Sequence, residues 1–564
     1  MSVVCSGNGF GVAAYANRVQ RKHYAVLAVL LFCLCSRIVL GQTAPAGTAP
    51  VTELTLSRYL QLVLDRNEAL MAQLLETEIS RHKERAEHGI FEPNLALSAE
   101  GEGNKRLNNS LQQSEENSLV FFHEINHNYD SALEQLMPTG GKVRLGYTVS
   151  DLHNNITNGF SFIPGLNLAM GSQYETFVGI TVTQPLLKSA GISVTMANIR
   201  LAAMDSDIAF QLYRRQLMLA ISQAEAAYWN LYFAQEQLRF FQESVAVAQS
   251  VLDDSRERLK TGRASELDVL ESESALALRK AKQNEARQDY DDATGKLMTL
   301  CAAVPRENGP TVRAVDRPSD AKVVPSYSQS FGQAFDANPE YLAQKVRLDQ
   351  ERVRLGVARN QALPELDVKG SFGYNGLGAT LGQSMDYLTS QQYPSWSLGL
   401  ELNIPLAANI KGRHELSAAH LSLQEAAVNL KSVQTQIANA IQMAISKSRT
   451  WQESIQSYQT VVGFNESLLK TEMARLNVGR VEPRKVLEVE ADLLEARQSL
   501  ADALVRYQRT LLELKMADGS LLRERHLELT REELRHRTLS RIKSGNIPAD
   551  GFTPVPDLPV TTLN

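Results

Sequence analysis

Arg258-Leu259-x-x-Gly262-Arg263, then five residues, then Val269-Leu270-Glu271-x-Glu273, recurs further on as Arg475-Leu476-x-x-Gly479-Arg480, five residues, and Val486-Leu487-Glu488-x-Glu490. Each copy ends a run without proline, from about Val194 to Lys260 and from about Ser417 to Asn477, in which Ala, Leu, Gln, Arg and Glu dominate. Such composition predicts helices, and at 1.5 Å per residue each would be roughly 90 to 100 Å long. A glycine that tolerates positive φ then reverses the chain. In the returning segment of the second copy Leu493, Leu500, Tyr507 and Leu514 form a heptad, with Ala496 and Ala503 beside them, so the helices pair along a narrow seam. Small residues such as Ala224, Ala226 and Ala227 permit close approach.

The repetition extends outward. When Asn67 is laid over Asn338, Pro93 falls on Pro364; Gln184-Pro185-Leu186 answers Ile404-Pro405-Leu406, with Gly191 and Gly412 soon after. Each half therefore reads as helix, strand, strand, very long helix, glycine tip and returning helix. The first half covers 42–306 and the second 327–519, joined by a proline-containing linker at 307–326. The 520–564 tail turns charged and then proline-containing, and is expected to lie outside the core.

The strands alternate with a period of two. Leu366, Val368, Phe372 and Tyr374 oppose Glu365, Asp367, Lys369 and Ser371; Trp396, Leu398, Leu400, Leu402 and Ile404 oppose Ser397, Gly399, Glu401 and Asn403. Leu95, Leu97 and Ala99, and again Val178, Ile180 and Val182, repeat the arrangement less strongly. A soluble sheet with one buried face would alternate in the same way. Here, however, Pro93, Pro185, Pro364 and Pro405 mark joints between strand and helix, where a missing N–H and the pre-proline bias separate the two structures. Each strand has the roughly 9 to 11 residues that a tilted strand needs to cross hydrocarbon. Four strands cannot close a barrel, for which about eight is the practical minimum, so such a chain must pool its strands with other chains.

Export is written at the start. Arg18, Arg21 and Lys22 precede an apolar stretch from Tyr24 to Leu34, and small residues follow, which reads as a signal peptide over 1–41. Ser36 and Arg37 cut the stretch short of the length of a membrane anchor. Cys5, Cys33 and Cys35 fall in this leader, leaving Cys301 alone and no internal disulfide. Beyond it no run of about 18 apolar residues occurs, so a membrane crossing must use strands. A net charge of -5 gives no basic excess, which argues against nucleic acid as a partner.

Pro93 to Pro185 is about fifty residues longer than Pro364 to Pro405, which places an insertion at about 104–174. Val143, Leu145, Tyr147 and Val149 alternate there after Pro138-Thr139-Gly140-Gly141, predicting an extra hairpin. It could join a barrel, cap it, or fold over a tunnel. The insertion also holds His123-Glu124-Ile125-Asn126-His127, formally a zinc-protease pattern. That chemistry needs a helix, which Asn126, Asn128 and Asp130 disfavour, so a solvated loop is expected, with no metal, cofactor or enzymatic activity.

Signal peptide, duplicated halves, prolines at the joints, the Gln-Pro-Leu and the glycine tips together resemble the TolC-like outer-membrane efflux protein family over roughly residues 52 to 520. The resemblance implies an α+β membrane protein: a homotrimer whose four strands per subunit, or more, form one β-barrel among outer-membrane lipid, continued by a coiled-coil α-helical barrel through the periplasm. It further implies an exit duct for efflux or secretion, with a periplasmic adaptor and an inner-membrane transporter docking at the far end. The adaptor-binding tips map onto Leu259, Thr261, Gly262 and Arg263, and onto Leu476, Val478, Gly479 and Arg480. A ring of carboxylates gating the mouth maps onto Asp268, Glu271 and Glu488, although Lys485 stands where an acid is expected and could pair with Glu488. A solvated helix face accounts for the same residues. A periplasmic coiled-coil scaffold without channel activity is the alternative function, and the cargo is not encoded in any motif.

Overall fold

The structure, a computed structural model, describes residues 51–110, 120–155, 173–303, 311–322, 325–406 and 409–543. The expected leader and the end of the tail lie outside these. One compact unit comprises Thr52–Glu307 with Val312–Asn564, and everything below concerns it; of the other, Met1–Val51 with Asn308–Thr311, only Val51 and Thr311 are described.

Each half begins with two short helices that meet at an asparagine. Helix α1 (Leu56–Arg66) gives way to α2 (Glu68–Glu87) at Asn67, and α5 (Tyr327–Ala337) to α6 (Pro339–Gln361) at Asn338. In both cases the asparagine carbonyl accepts from the first turn of the second helix, satisfying donors that no helix can satisfy internally. The amides then reach the ends of the returning helices, Asn67 Nδ2 to the Leu300 carbonyl at 3.5 Å and Asn338 Nδ2 to that of Ala517 at 3.0 Å. The returning helices are α4 (Glu266–Leu300) and α9 (Pro483–Ala517), and their long partners are α3 (Ala197–Lys260) and α8 (Ile410–Asn477), of 64 and 68 residues. At 1.5 Å per residue these are about 96 and 102 Å long. Three of the four heptad residues, Leu493, Tyr507 and Leu514, are at most 6% exposed, and Leu500 is half-buried.

The main core lies midway along the helices, where Tyr59, Ile221, Tyr228 and Leu231 are fully buried. Leu54, Val312 and Ala314, from the paired strands β1 (Val51–Leu54) and β6 (Thr311–Ala314), are buried in it. The linker is held in place: Asp316 accepts from Leu56 N at 2.6 Å and from the Tyr228 hydroxyl at 2.9 Å, and Tyr507 donates to the Ala321 carbonyl at 3.0 Å. Contrary to expectation, residues 520–543 also pack onto this core. Leu521, Leu522 and Leu534 are buried in it, and Arg541 of α10 (Arg531–Lys543) ties back to Asp65 at 2.9 Å. The charged composition that suggested a free tail is the outer face of a docked helix.

The strands β2 (Asn94–Leu107), β3 (Phe121–Leu136), β4 (Lys142–Asn154), β5 (Gln173–Pro185), β7 (Glu365–Gly378) and β8 (Pro394–Asn403) form one antiparallel sheet in that order. Six strands replace the four that the repeat alone supplies, because the inserted hairpin β3–β4 pairs along its length on both sides. Pro93 and Pro364 stand immediately before β2 and β7, Pro185 ends β5, and Pro405 follows β8, so all four prolines sit at the joints. A short helix, α7 (Leu381–Ser390), lies flat on the far end of β5 and β7. It can do so because Gly376 has no side chain: a β-carbon there would collide with the Ser384 carbonyl. Thr176 and Ser384 bond beneath it, Oγ to Oγ, at 2.8 Å.

Candidate functional site

Both helical tips are built alike. At the first, Gly262 N donates to the Leu259 carbonyl at 3.0 Å and Arg263 N to that of Arg258 at 2.8 Å; at the second, Gly479 N donates to Leu476 at 2.8 Å and Arg480 N to Arg475 at 2.9 Å. This paired closure of the last turn requires a left-handed residue, and the two glycines have φ of 71° and 74°. The tips also touch each other, since the Arg258 guanidinium donates to the Leu476 carbonyl.

Burial divides the expected tip residues. Thr261, Gly262, Arg263, Val478, Gly479 and Arg480 are exposed, and Leu259 is half-buried. Leu476 is not a contact surface: at 2% exposed it packs among Val251, Leu276 and Val486 in the core beneath the tips. The repeated Arg-Leu thus serves packing differently in its two copies: Leu476 turns inward and Arg258 bridges the tips, while Leu259 is half-buried and Arg475 pairs with Glu472 of its own helix. Two exposed apolar side chains went unassigned, Leu267 and Leu270, at 64% and 62%. They follow the Ser265 cap of α4, and the repeat hides Leu267 because Arg484 occupies the corresponding place.

The proposed gate carboxylates lie in three settings. Asp268 closes a capping box, accepting from Ser265 N at 2.8 Å while its own N–H donates to Ser265 Oγ at 3.2 Å. Glu271 stands 3.8 Å from Arg484 of the other tip. Glu488 is 2.9 Å from Lys485, whose hydrogen bond and charge hold the carboxyl below its usual range and raise the ammonium in turn. Within one chain both acids that point away from their own backbone therefore have a basic neighbour.

Behind the tips a buried ion pair joins the two hairpins. Arg279 Nη2 and Nε approach Glu490 Oε2 at 2.5 and 2.9 Å, and the same guanidinium donates to Ser244 Oγ at 3.1 Å and the Leu487 carbonyl at 2.9 Å. The side chains are only 11% and 6% exposed. Nothing in the heptad pattern marks them, although Glu490 closes the repeated motif.

At the other end the sheet has two chemically different faces. Leu95, Leu133, Leu145, Ile180, Phe372 and Trp396 stand in one row across all six strands and are 42 to 77% exposed. One register step away, on the opposite face, the row reads Asn94, Glu134, Arg144, Thr181, Ser371 and Ser397. Arg144 is clamped there by Asp130 at 2.5 Å and Glu134 at 3.0 Å. An apolar row left in the open is costly in water and suits hydrocarbon. Among the described residues no helix is long and apolar enough to cross a membrane.

His123 and His127 lie in β3, so the segment expected as a loop is a strand. Four residues of strand separate the two imidazoles by about 13 Å along the chain, against one turn in a helix. Among the described residues no cluster of three His, Cys, Asp or Glu is placed to hold a metal ion.

Comparison with known proteins agrees with this architecture. The outer membrane efflux protein family matches residues 59–303 and 331–520. The chain is 23% identical to the alkaline protease secretion protein AprF of Pseudomonas aeruginosa, over 59% of this chain and 66% of that one. It is 21% identical to the outer membrane protein TolC of Vibrio cholerae, over 61% and 76%. The CmeC outer membrane channel of Campylobacter jejuni superposes with a TM-score of 0.58 at 15% identity, covering 87% of this chain and 95% of that one. The chain belongs to the outer membrane efflux protein family, and it is an outer-membrane channel protein of efflux or secretion that extends into the periplasm.

Proposed function

We propose that three copies of this chain pool their sheets into one closed barrel and their helices into one tunnel, forming an exit duct. One observation carries this reading: a sheet apolar on one face and polar on the other ends in strands, β2 and β8, whose outer edges have no partner among the described residues. Unpaired edges within hydrocarbon are untenable, and joining β8 of one copy to β2 of the next removes them all. The attached helices then carry the wall about 100 Å into the periplasm. The matching asparagine caps and tip closures support an origin by duplication of one half.

At the far end Thr261, Gly262, Arg263, Val478, Gly479 and Arg480, with Leu267 and Leu270, offer apolar and cationic contact to a periplasmic adaptor, through which an inner-membrane transporter delivers cargo. Leu259 supports that surface from below. Asp268, Glu271 and Glu488 line the mouth in this reading, with Arg484 and Lys485 tempering the field of the last two. Membrane fractionation followed by planar-bilayer conductance, repeated for the Glu271→Gln and Glu488→Gln variants, tests it. Detergent-requiring trimers that open discrete channels, with ion selectivity shifted in the variants, are expected. A soluble, non-conducting product would favour a periplasmic scaffold, and trimeric channels indifferent to both substitutions would remove the gate.

A further inference from the structure

We propose that the inserted hairpin β3–β4 forms two staves of the barrel wall, so that three copies close eighteen strands and the outer mouth is wide enough for polypeptide that retains helical structure. This rests on the closed barrel proposed above. The hairpin is neither a cap nor a plug, for three reasons that are independent of one another.

The first is position. β3 and β4 lie inside the sheet order, between β2 and β5, so removing them from the wall would break the ladder and leave the facing edges of β2 and β5 unpaired, although β5 would keep β7 on its other side. The second is chemistry. The hairpin has the same two faces as its neighbours at the same height: Leu133 and Leu145 continue the exposed apolar row, and Glu134 and Arg144 continue the polar one. A hairpin folded into a lumen or over a mouth has no reason to place leucines in register with a lipid-facing band. The third is anchorage. Its inner turn is fastened to the strand–helix joint, with Gly191 N donating to the Thr139 carbonyl at 3.0 Å and Thr139 Oγ1 to Gln184 Oε1 at 2.9 Å. A β-carbon on Gly140, at φ of 90°, would collide with the Ser189 carbonyl, so the turn is fitted closely to the start of the helical region.

Strand number fixes bore. With strands about 4.8 Å apart and tilted by about 40°, eighteen strands close at a backbone radius of about 18 Å and twelve at about 12 Å. The wider value suits the tunnel below it. Next to the sheet α2, α3, α6 and α8 lie side by side in each chain, and twelve such helices spaced about 8 to 10 Å apart form a ring of about 15 to 19 Å radius. After about 6 Å of lining side chains, an eighteen-strand mouth leaves a bore of roughly 24 Å, room for two helices of 10 to 12 Å side by side. A twelve-strand mouth would admit one at most. The hairpin therefore removes the barrel as the narrowest point for a partly folded polypeptide.

Spin labels measure the radius directly. The Leu398→Cys side chain would point outward from β8, where Leu398 is 73% exposed, whereas Cys301 is 1% exposed and does not compete for the label. Three symmetry-related labels on an eighteen-strand barrel lie about 10 Å further apart than on a twelve-strand one, because backbone spacings of about 31 Å and 21 Å gain the same increment from the label. Double electron–electron resonance on trimers in nanodiscs should give the longer distance. The shorter distance would expel the hairpin from the wall and overturn the proposal while leaving the channel intact. Protein without any defined distance between labels would instead overturn the trimeric barrel itself. A second label at Leu145→Cys should be accessible to oxygen dissolved in the bilayer; accessibility only to an aqueous relaxant would equally refute a place in the wall.

Discussion

Replacing Glu490 by glutamine would leave the shape of its site almost unchanged and strand the Arg279 guanidinium without a counter-charge. In the native tip that guanidinium has a carboxylate at 2.5 and 2.9 Å, a hydroxyl at 3.1 Å and a carbonyl at 2.9 Å, in a setting where little of either side chain meets water. Breaking one side of such a buried pair costs about 3 to 5 kcal/mol, most of it the penalty of the orphaned charge. The loss is local, since α3, α4 and α9 meet at this point, and a melting midpoint of so long a chain would dilute it. Amide hydrogen exchange reads it where it occurs: an opening free energy lowered by about 3 kcal/mol raises exchange roughly a hundredfold in peptides around Arg279 and Glu490. Replacing both residues, as Arg279→Met with Glu490→Leu, removes both charges and should recover most of the protection, because apolar side chains of similar volume substitute well for buried pairs. Exchange in Glu490→Gln equal to the native rate would refute the reasoning, as would a double variant no better protected than the single one.

Other substitutions separate strain, membrane contact and buried charge. Gly262→Ala and Gly479→Ala meet open space, so each should cost only the left-handed strain, about 1 kcal/mol, visible as faster exchange confined to that tip. Trp396→Lys should lower the yield of membrane-inserted protein, at about 2 to 4 kcal/mol for a lysine near the bilayer midplane, whereas Ser397→Lys on the other face should insert normally. Burial raises the Asp518 carboxyl above its usual range, so the native state binds its proton more tightly than the unfolded chain does; stability falls as pH rises through that window and stays lower above it. Asp518→Asn, which keeps an acceptor for Ser520 N, should therefore raise the melting temperature at pH 7 and lose its advantage in acid below the normal carboxyl range. The Cys301 thiol, pushed up to about 11 by burial, should resist thiol reagents at pH 8 until the protein unfolds.

What the sequence makes legible here is whatever repeats or alternates. The prolines at the joints, the glycine tips and the heptad through Tyr507 are local requirements of backbone and seam, and the structure places each where its pattern implies. Leu476 misleads because a repeat reports that a residue is needed without saying what it touches; only the tertiary arrangement turns it inward beneath the neighbouring tip. The docked α10 is hidden for a similar reason. Its hold depends on Leu534 and Thr538 meeting a core assembled from residues hundreds of positions earlier, while its remaining surface is as charged as any free tail. The hairpin lies between these cases. Alternation in Val143 to Val149 declares a strand, yet its membership of the six-stranded sheet appears only when register sets Leu133 and Leu145 beside Leu95 and Ile180. Register is a relation between strands, so a chain read one residue at a time announces the two faces of each strand and leaves the order of strands in the sheet to the fold.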